Sequence, residues 1–215
     1  MPTLPNNEAN AGEELLRAGE KASVAQHLKA HLASLFLRDA NDFLWRVDIA
    51  RQAEFQHRSW YGKIYVDYVM ASECALKAAI IFLSPDSESP EVAYQTARSK
   101  NHSIHKLLPA ARDRASKVMS FVSNDCVAFL SCLPFPVTAR YDLELLHAHF
   151  ATKKGYDSKI NDSIRDADFM KKLHLYVFEI VNFARDASKM TSNRNLPIPG
   201  TKIQLIQDAL TNFKL

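Results

Sequence analysis

One stretch, "YVDYVMASECALKAAIIFL" at residues 65–83, constrains the fold of this chain more than any other feature. Apolar and small residues recur there at three- and four-residue steps, which is the period of one face of an α-helix. Small side chains in its second half would let a neighbouring helix approach closely. The pattern therefore predicts a long helix over residues 60–83 that packs against other helices through its small residues, Ala71, Ala75, Ala78 and Ala79.

Two charged residues lie inside this run. Glu73 and Lys77 are four residues apart, with the acid first, which is the favourable order for an ion pair on a helix surface. Such a pair stabilises a helix by only about 0.3–0.5 kcal/mol. From the spacing alone, we expect an exposed ion pair that is either incidental to the fold or has a local function.

The remaining apolar patterns also have the helical period. They predict a first helix from Asn6 or Asn7 to about Arg38, a turn at 39–41 and a second helix beginning at Phe43. Ser89 is expected to cap a short helix at 92–97, and further helices are expected from residue 104, within 121–133, at 139–150 and at 167–188. After the linker "TSNRNLPIPG", a last amphipathic helix is expected from 201 to about 213.

These patterns predict an all-α, up-and-down helical bundle. A length of 215 residues fits one domain, and only 5 glycines leave little material for β-turns. We expect the N-terminal helices within 1–57, the central helices within 58–190, and the proline-containing linker and closing helix within 191–215. The closing helix could pack on its own bundle or on a second subunit.

Composition excludes few functions. The net charge of +3 is too balanced to indicate nucleic-acid binding by itself, although a local basic groove is compatible with it.

Cys74, Cys126 and Cys132 lack the C-x-x-C spacing, and we expect buried, reduced thiols. The chain begins without a signal-peptide pattern and has no apolar run of membrane-spanning length, so we expect a cytoplasmic protein without membrane contact.

The order of motifs between residues 60 and 190 resembles the HEPN superfamily (higher eukaryotes and prokaryotes nucleotide-binding domains). "ECALKA", with Glu73 and Lys77, looks like the second helix of that family, which commonly reads E-x-A-L-K-A-L. "NHSIHKLL" at 101–108 is similar to the family's His-Asp-Leu turn, with Ser103 in place of Asp. A serine there can cap the helix that follows. "TARYDLEL" at 138–145 is similar to the Arg-Tyr segment of some members.

The resemblance implies two functions. One is a non-catalytic module that binds a nucleotide, RNA or a protein, with His102, His105 and Lys106 as candidate binding residues. The alternative is a metal-independent endoribonuclease of the toxin or phage-defence kind, marked by Arg, four to six residues, then His. In that mechanism the histidine would transfer the proton of a ribose hydroxyl, and the arginine would hold the phosphate. We expect Arg140 and His147 to be that pair, because seven residues place them on one helix face.

The Arg–His spacing is common by chance in a chain with eight histidines. It also occurs at Arg51–His57, where six residues give separate helix faces, and at Arg98–His105, which straddles a turn. The resemblance further implies a homodimer and a separate nucleotidyltransferase-type partner, since no such domain is fused to this chain.

Other candidate sites are weaker. His27 and His31 have a spacing that can bind metal, but no third ligand completes a known motif, so we predict no metal site. We expect His102 to be hydrogen-bonded at the helix start, and the tyrosines at 61, 65 and 68 to pack in the core or at a dimer contact. No glycine-rich phosphate loop is present, and we predict no cofactor.

Overall fold

The computed structural model describes residues 7–52, 58–100, 102–133 and 163–192, together with Thr211. Its helices of eight residues or more, in chain order, are α1 (Asn7–Gln52), α2 (Arg58–Phe82), α3 (Pro90–Arg98), α4 (Ile104–Ala115), α5 (Asn124–Ser131) and α6 (Ala167–Ser192). These ranges contain no strand. The all-α prediction is confirmed for this part of the chain.

Helix α2 lies at the centre of the packing. It contacts α1, α3, α4 and α6, with the largest contact against α1. Every residue from 71 to 82 is buried, so this half of the helix has no solvent face. The small side chains predicted to accept a close neighbour are fully buried: Ala71, Ala75, Ala78 and Ala79. Because alanine adds little volume, helices can surround α2 on all sides at close packing distance.

Helix α1 is continuous where the sequence predicted a turn. The predicted break at 39–41 is wrong, because α1 runs without interruption from Asn7 to Gln52. Ala40 is fully buried there, and the Asn41 side chain donates a hydrogen bond of 2.8 Å to the Leu37 carbonyl one turn back. Arg185 of α6 also donates to the Asn41 side-chain oxygen. Asn41, a polar residue of the predicted turn, is thus hydrogen-bonded both within α1 and to α6.

A buried lysine fixes the connection between α2 and α3. Lys29 of α1 donates from Nζ to the carbonyls of Pro85 at 2.8 Å and Glu88 at 3.1 Å. Burial lowers the pKa of Lys29, while the nearby acids Asp86 and Glu88 act against that shift. Arg114 of α4 pairs with the Glu88 carboxylate, with Nη2 at 2.8 Å from Oε1. This connection is therefore held from α1 and from α4.

The ends of two shorter helices are capped by serine. Ser89 accepts a hydrogen bond from the Val92 amide, as predicted from sequence. Ser123 caps α5 by accepting from the Cys126 amide at 3.2 Å, and its own amide and hydroxyl donate to Glu179 of α6. Helix α5 is thereby joined to α6 by its first turn.

The three cysteines form no disulfide bond, and they differ in exposure. Cys74 and Cys126 are buried, whereas Cys132 is exposed, so the expectation of buried thiols is wrong for Cys132. It follows the last residue of α5, where the chain reaches the surface. Burial, with a smaller contribution from Glu179, raises the pKa of the Cys126 thiol to about 12. Cys126 is therefore protonated and unreactive at neutral pH.

Several predictions lie wholly or largely outside the described residues. These are the helix at 139–150, the loop that follows it, the proline-containing linker and the closing helix at 201–213. Among the helices that the structure describes, none combines the length and the apolar character needed to cross a membrane.

Close packing around α2 makes a clear prediction for Ala75, which is fully buried. Ala75→Leu inserts three carbon atoms where neighbouring helices leave no space, and we expect it to lower the free energy of unfolding by about 1–3 kcal/mol. Urea denaturation measures this change. Ala128→Leu, at an exposed position of α5, is the matched control and should change stability by less than about 0.5 kcal/mol. Equal effects of the two substitutions would contradict the packing role of α2.

Candidate functional site

Glu73 and Lys77 form a buried ion pair on α2. Lys77 Nζ lies 2.6 Å from Glu73 Oε1, and the two side chains are only 9% and 2% exposed. The prediction of an exposed pair is therefore wrong. Neighbouring helices cover this face of α2, and Phe36 of α1 has its ring centroid 5.8 Å from the Lys77 ammonium. The pair lies in the core. Removing one of the two partners would therefore leave a buried charge without compensation.

His102 reaches the same carboxylate from the surface. Its Nδ1 lies 3.0 Å from Oε1 and 3.1 Å from Oε2 of Glu73, although half of the His102 side chain is exposed. An ionised carboxylate only accepts hydrogen bonds, so Nδ1 is the donor and carries the hydrogen. The imidazole thus connects the turn before α4 to the buried charges of α2. Sequence predicted a hydrogen-bonded His102 but did not identify Glu73 as its partner.

The first turn of α4 carries the other candidate binding residues. Ser103 occupies the N-cap position, but its side chain makes no hydrogen bond to a helix amide. The prediction that Ser103 caps this helix through its side chain is wrong, because its hydroxyl is 2.8 Å from Nδ1 of His105 instead. His105 and Lys106 are both exposed. The structure therefore places His102, His105 and Lys106 at one exposed turn.

Basic residues extend this turn towards α3. Arg98 ends α3 and is exposed, with its guanidinium 5.8 Å from the ring centroid of Tyr94, and Lys100 is partly exposed. The sequence contains no acidic residue between positions 91 and 113. We call the exposed or partly exposed basic and imidazole side chains at this connection the basic surface, and they are Arg98, Lys100, His102, His105 and Lys106.

A second polar cluster joins three helices and was not found by sequence reasoning. Tyr68 of α2 is buried, and its hydroxyl lies 2.7 Å from Nδ1 of His174 in α6. Arg51, in the last turn of α1, has Nη1 3.2 Å from the same nitrogen. A guanidinium has no lone pair to offer, so Nδ1 of His174 accepts and the ring hydrogen is on Nε2.

Burial dominates the proton equilibria of this cluster. It lowers the pKa of His174, and the nearby Arg51 charge lowers it further, whereas Asp48 acts in the opposite direction. It also raises the pKa of Tyr68, with Arg51 opposing that shift. The imidazole is therefore neutral at pH 7, as its accepting role requires. Since 106 residues separate Tyr68 from His174, no local spacing could have indicated their contact.

The predicted catalytic pair Arg140 and His147 lies outside the described residues, as does His57. Arg98 and His105 lie on different helices, α3 and α4. Within the described ranges, no group of three histidine, cysteine or acidic side chains could hold a metal ion. A cavity of about 20 Å³ beside Lys29, between α1, the end of α2 and the end of α6, has room for about one water molecule. That volume is far too small for a nucleotide.

Comparison with known proteins gives no relative: no family model, no curated protein and no solved structure matches this chain.

The burial of Glu73 and Lys77 predicts a large cost for removing one partner. Lys77→Met leaves a buried carboxylate without its ammonium partner, and we expect a loss of about 3–5 kcal/mol in the free energy of unfolding. The double variant Glu73→Leu with Lys77→Met should recover most of that loss, because neither charge is then buried. Chemical denaturation measures both.

Lys189→Met is the matched control, since Lys189 pairs with Asp186 at an exposed position. It should cost less than about 1 kcal/mol. A similarly small cost for Lys77→Met would contradict the role assigned to the buried pair.

The lowered pKa of His174 predicts a pH-dependent stability. Well above the ordinary pKa of 6.5, the ring is neutral in both folded and unfolded chains and contributes nothing. As the pH falls below that value, the unfolded chain binds the proton first, so the free energy of unfolding decreases until the folded pKa is reached. His174→Gln should remove this part of the loss measured by urea denaturation between about pH 7.5 and pH 5.5. The exposed His31→Gln control should keep it, and identical pH profiles for wild type and His174→Gln would overturn the assignment.

Proposed function

We propose that this chain is a HEPN-like helical module that binds RNA through its basic surface, without catalysing a reaction there. The observation that supports the proposal is the concentration of cationic and imidazole side chains at the exposed connection of α3 and α4. RNA phosphates attract such side chains, and release of the counterions around the phosphates favours binding. The neutral His105 imidazole can also donate one hydrogen bond to a phosphate oxygen.

Rigid support of the basic surface favours a binding role. Helices α3 and α4 both pack on α2, and Glu73 holds His102 from the core. A group held in place before the ligand arrives loses less conformational entropy on binding. The connection between α2 and α3 is itself fixed by Lys29 and by the Arg114–Glu88 pair. A phosphate would therefore meet an arrangement that needs little reordering.

The HEPN-like assignment rests on motif order and on helix packing. The helix that carries Glu73 and Lys77 packs against the helix that follows the histidine-rich turn, as the resemblance implies. The resemblance also suggests a homodimer and a separate nucleotidyltransferase-type partner, and these belong to the same proposal. The endoribonuclease alternative depends on Arg140 and His147, and the experiment below includes it as an outcome.

Binding of fluorescently labelled single-stranded RNA at increasing salt concentration tests the proposal. Arg98→Gln with Lys106→Gln should weaken binding and reduce the slope of log affinity against log salt by about one for each phosphate contact removed. Lys171→Gln with Lys172→Gln removes the same charge from exposed positions on α6 and should leave affinity within about twofold.

No binding by the wild type, or equal losses in the two double variants, would overturn the proposal. The same RNA, incubated with the protein in EDTA and examined for length, tests the alternative. Cleavage that His147→Ala abolishes would replace the binding module with the endoribonuclease.

A further inference from the structure

We propose that binding of a phosphate at the basic surface is coupled to uptake of a proton by His102, and that Glu73 is the positioning residue that enforces this coupling. The inference rests on the proposed function, because it names how the same surface holds its ligand. It starts from the buried Glu73 carboxylate, which receives the Lys77 ammonium at 2.6 Å and Nδ1 of His102 at 3.0 Å.

The number of N–H groups on an imidazole ring depends on its protonation state. A neutral ring has one N–H, and the protonated ring has two. Glu73 accepts from Nδ1, so in the neutral ring the hydrogen stays on Nδ1 and Nε2 has only a lone pair. A phosphate oxygen is also an acceptor, and it cannot bond to a bare Nε2. His102 therefore contacts phosphate through Nε2 only after the ring has gained a proton.

The Glu73 contact is kept in both protonation states. Nδ1 donates in the neutral ring and in the imidazolium, so protonation changes only Nε2, from acceptor to donor. The half-exposed side chain gives solvent and ligand access to the ring. Glu73 contacts the ring and is paired with Lys77, and the nearest charged or titratable residues along the chain are Arg98 and Lys100 before it and His105 and Lys106 after it. Bound phosphate adds negative charge beside the imidazolium, which favours its protonated form.

His105 differs from His102 in this respect. Its partner is the Ser103 hydroxyl, which can donate or accept. The His105 ring can therefore present an N–H to a phosphate in its neutral form, without taking up a proton. The two histidines of one turn should thus respond differently to the ligand.

Two measurements test the proposal. The first is the nitrogen-15 NMR spectrum of the histidine rings in the RNA-free protein, with His102 assigned by comparison with His102→Gln. Neutral His102 should show hydrogen on Nδ1 and a bare Nε2, and the Glu73→Gln, Lys77→Met variant should lose that preference. A neutral ring with hydrogen on Nε2 in the wild type would overturn the proposed coupling but would not contradict RNA binding.

The second measurement is titration calorimetry of a short oligouridylate into the protein near neutral pH, in buffers with different ionisation enthalpies. The wild type should take up protons on binding. His102→Gln should bind without the His102 share of that uptake, because an amide N–H needs no added proton to donate. His105→Gln should weaken binding but retain the uptake.

These outcomes separate the inference from the function on which it rests. Binding of the oligouridylate without proton uptake would overturn the coupling and leave RNA binding intact. The same uptake in His102→Gln as in the wild type would assign the proton to another group and likewise overturn the coupling. Absence of binding would remove the proposed function, and the coupling with it.

Discussion

Complete burial of the second half of α2 is the constraint on which the described structure depends. Residues 71–82 have no solvent face, so each must be small, apolar or fully paired. The alanines allow other helices to contact α2 closely, while the two charged residues in this segment must satisfy each other. A carboxylate and an ammonium brought out of water lose several kcal/mol of solvation each, and only short, well-directed contacts compensate for that loss. The 2.6 Å contact between Glu73 and Lys77 meets that requirement.

The same burial determines what the surface can do. The Glu73 carboxylate also accepts a hydrogen bond from Nδ1 of His102, which lies in the turn before α4. A core residue thereby sets the orientation and tautomer of a half-exposed imidazole. An exposed histidine without such a partner would exchange freely between tautomers and rotamers, and would lose more entropy on contact with a ligand. The link between core and surface therefore belongs to the fold as much as to the proposed binding site.

The sequence predicted the helices better than their contacts. Periodicity predicted α2 and α6 with nearly their observed extents and α4 with its observed start, because those helices bury a regular apolar face. It failed at residues 39–41, where Asn41 bonds within α1 and to Arg185 of α6, a tertiary contact that local propensity does not record. It also placed Glu73 and Lys77 at the surface, since an i,i+4 charge pair has the same pattern in both environments. The cluster of Tyr68 and His174 depends on helix packing and has no local signature.

His102 and His174 both contact α2 but have opposite hydrogen-bonding roles, and this contrast identifies which of the two can gain a proton without losing a hydrogen bond. His174 uses Nδ1 to accept from Arg51 and to bond to the Tyr68 hydroxyl, so a proton there would remove the Arg51 hydrogen bond and place a cation against the Arg51 guanidinium. His102 uses Nδ1 to donate to a carboxylate, so a proton on Nε2 disturbs no existing bond. Protonation of His174 therefore opposes folding, whereas protonation of His102 is compatible with it. Of these two histidines, only His102 can change charge while α2 and its neighbours remain packed.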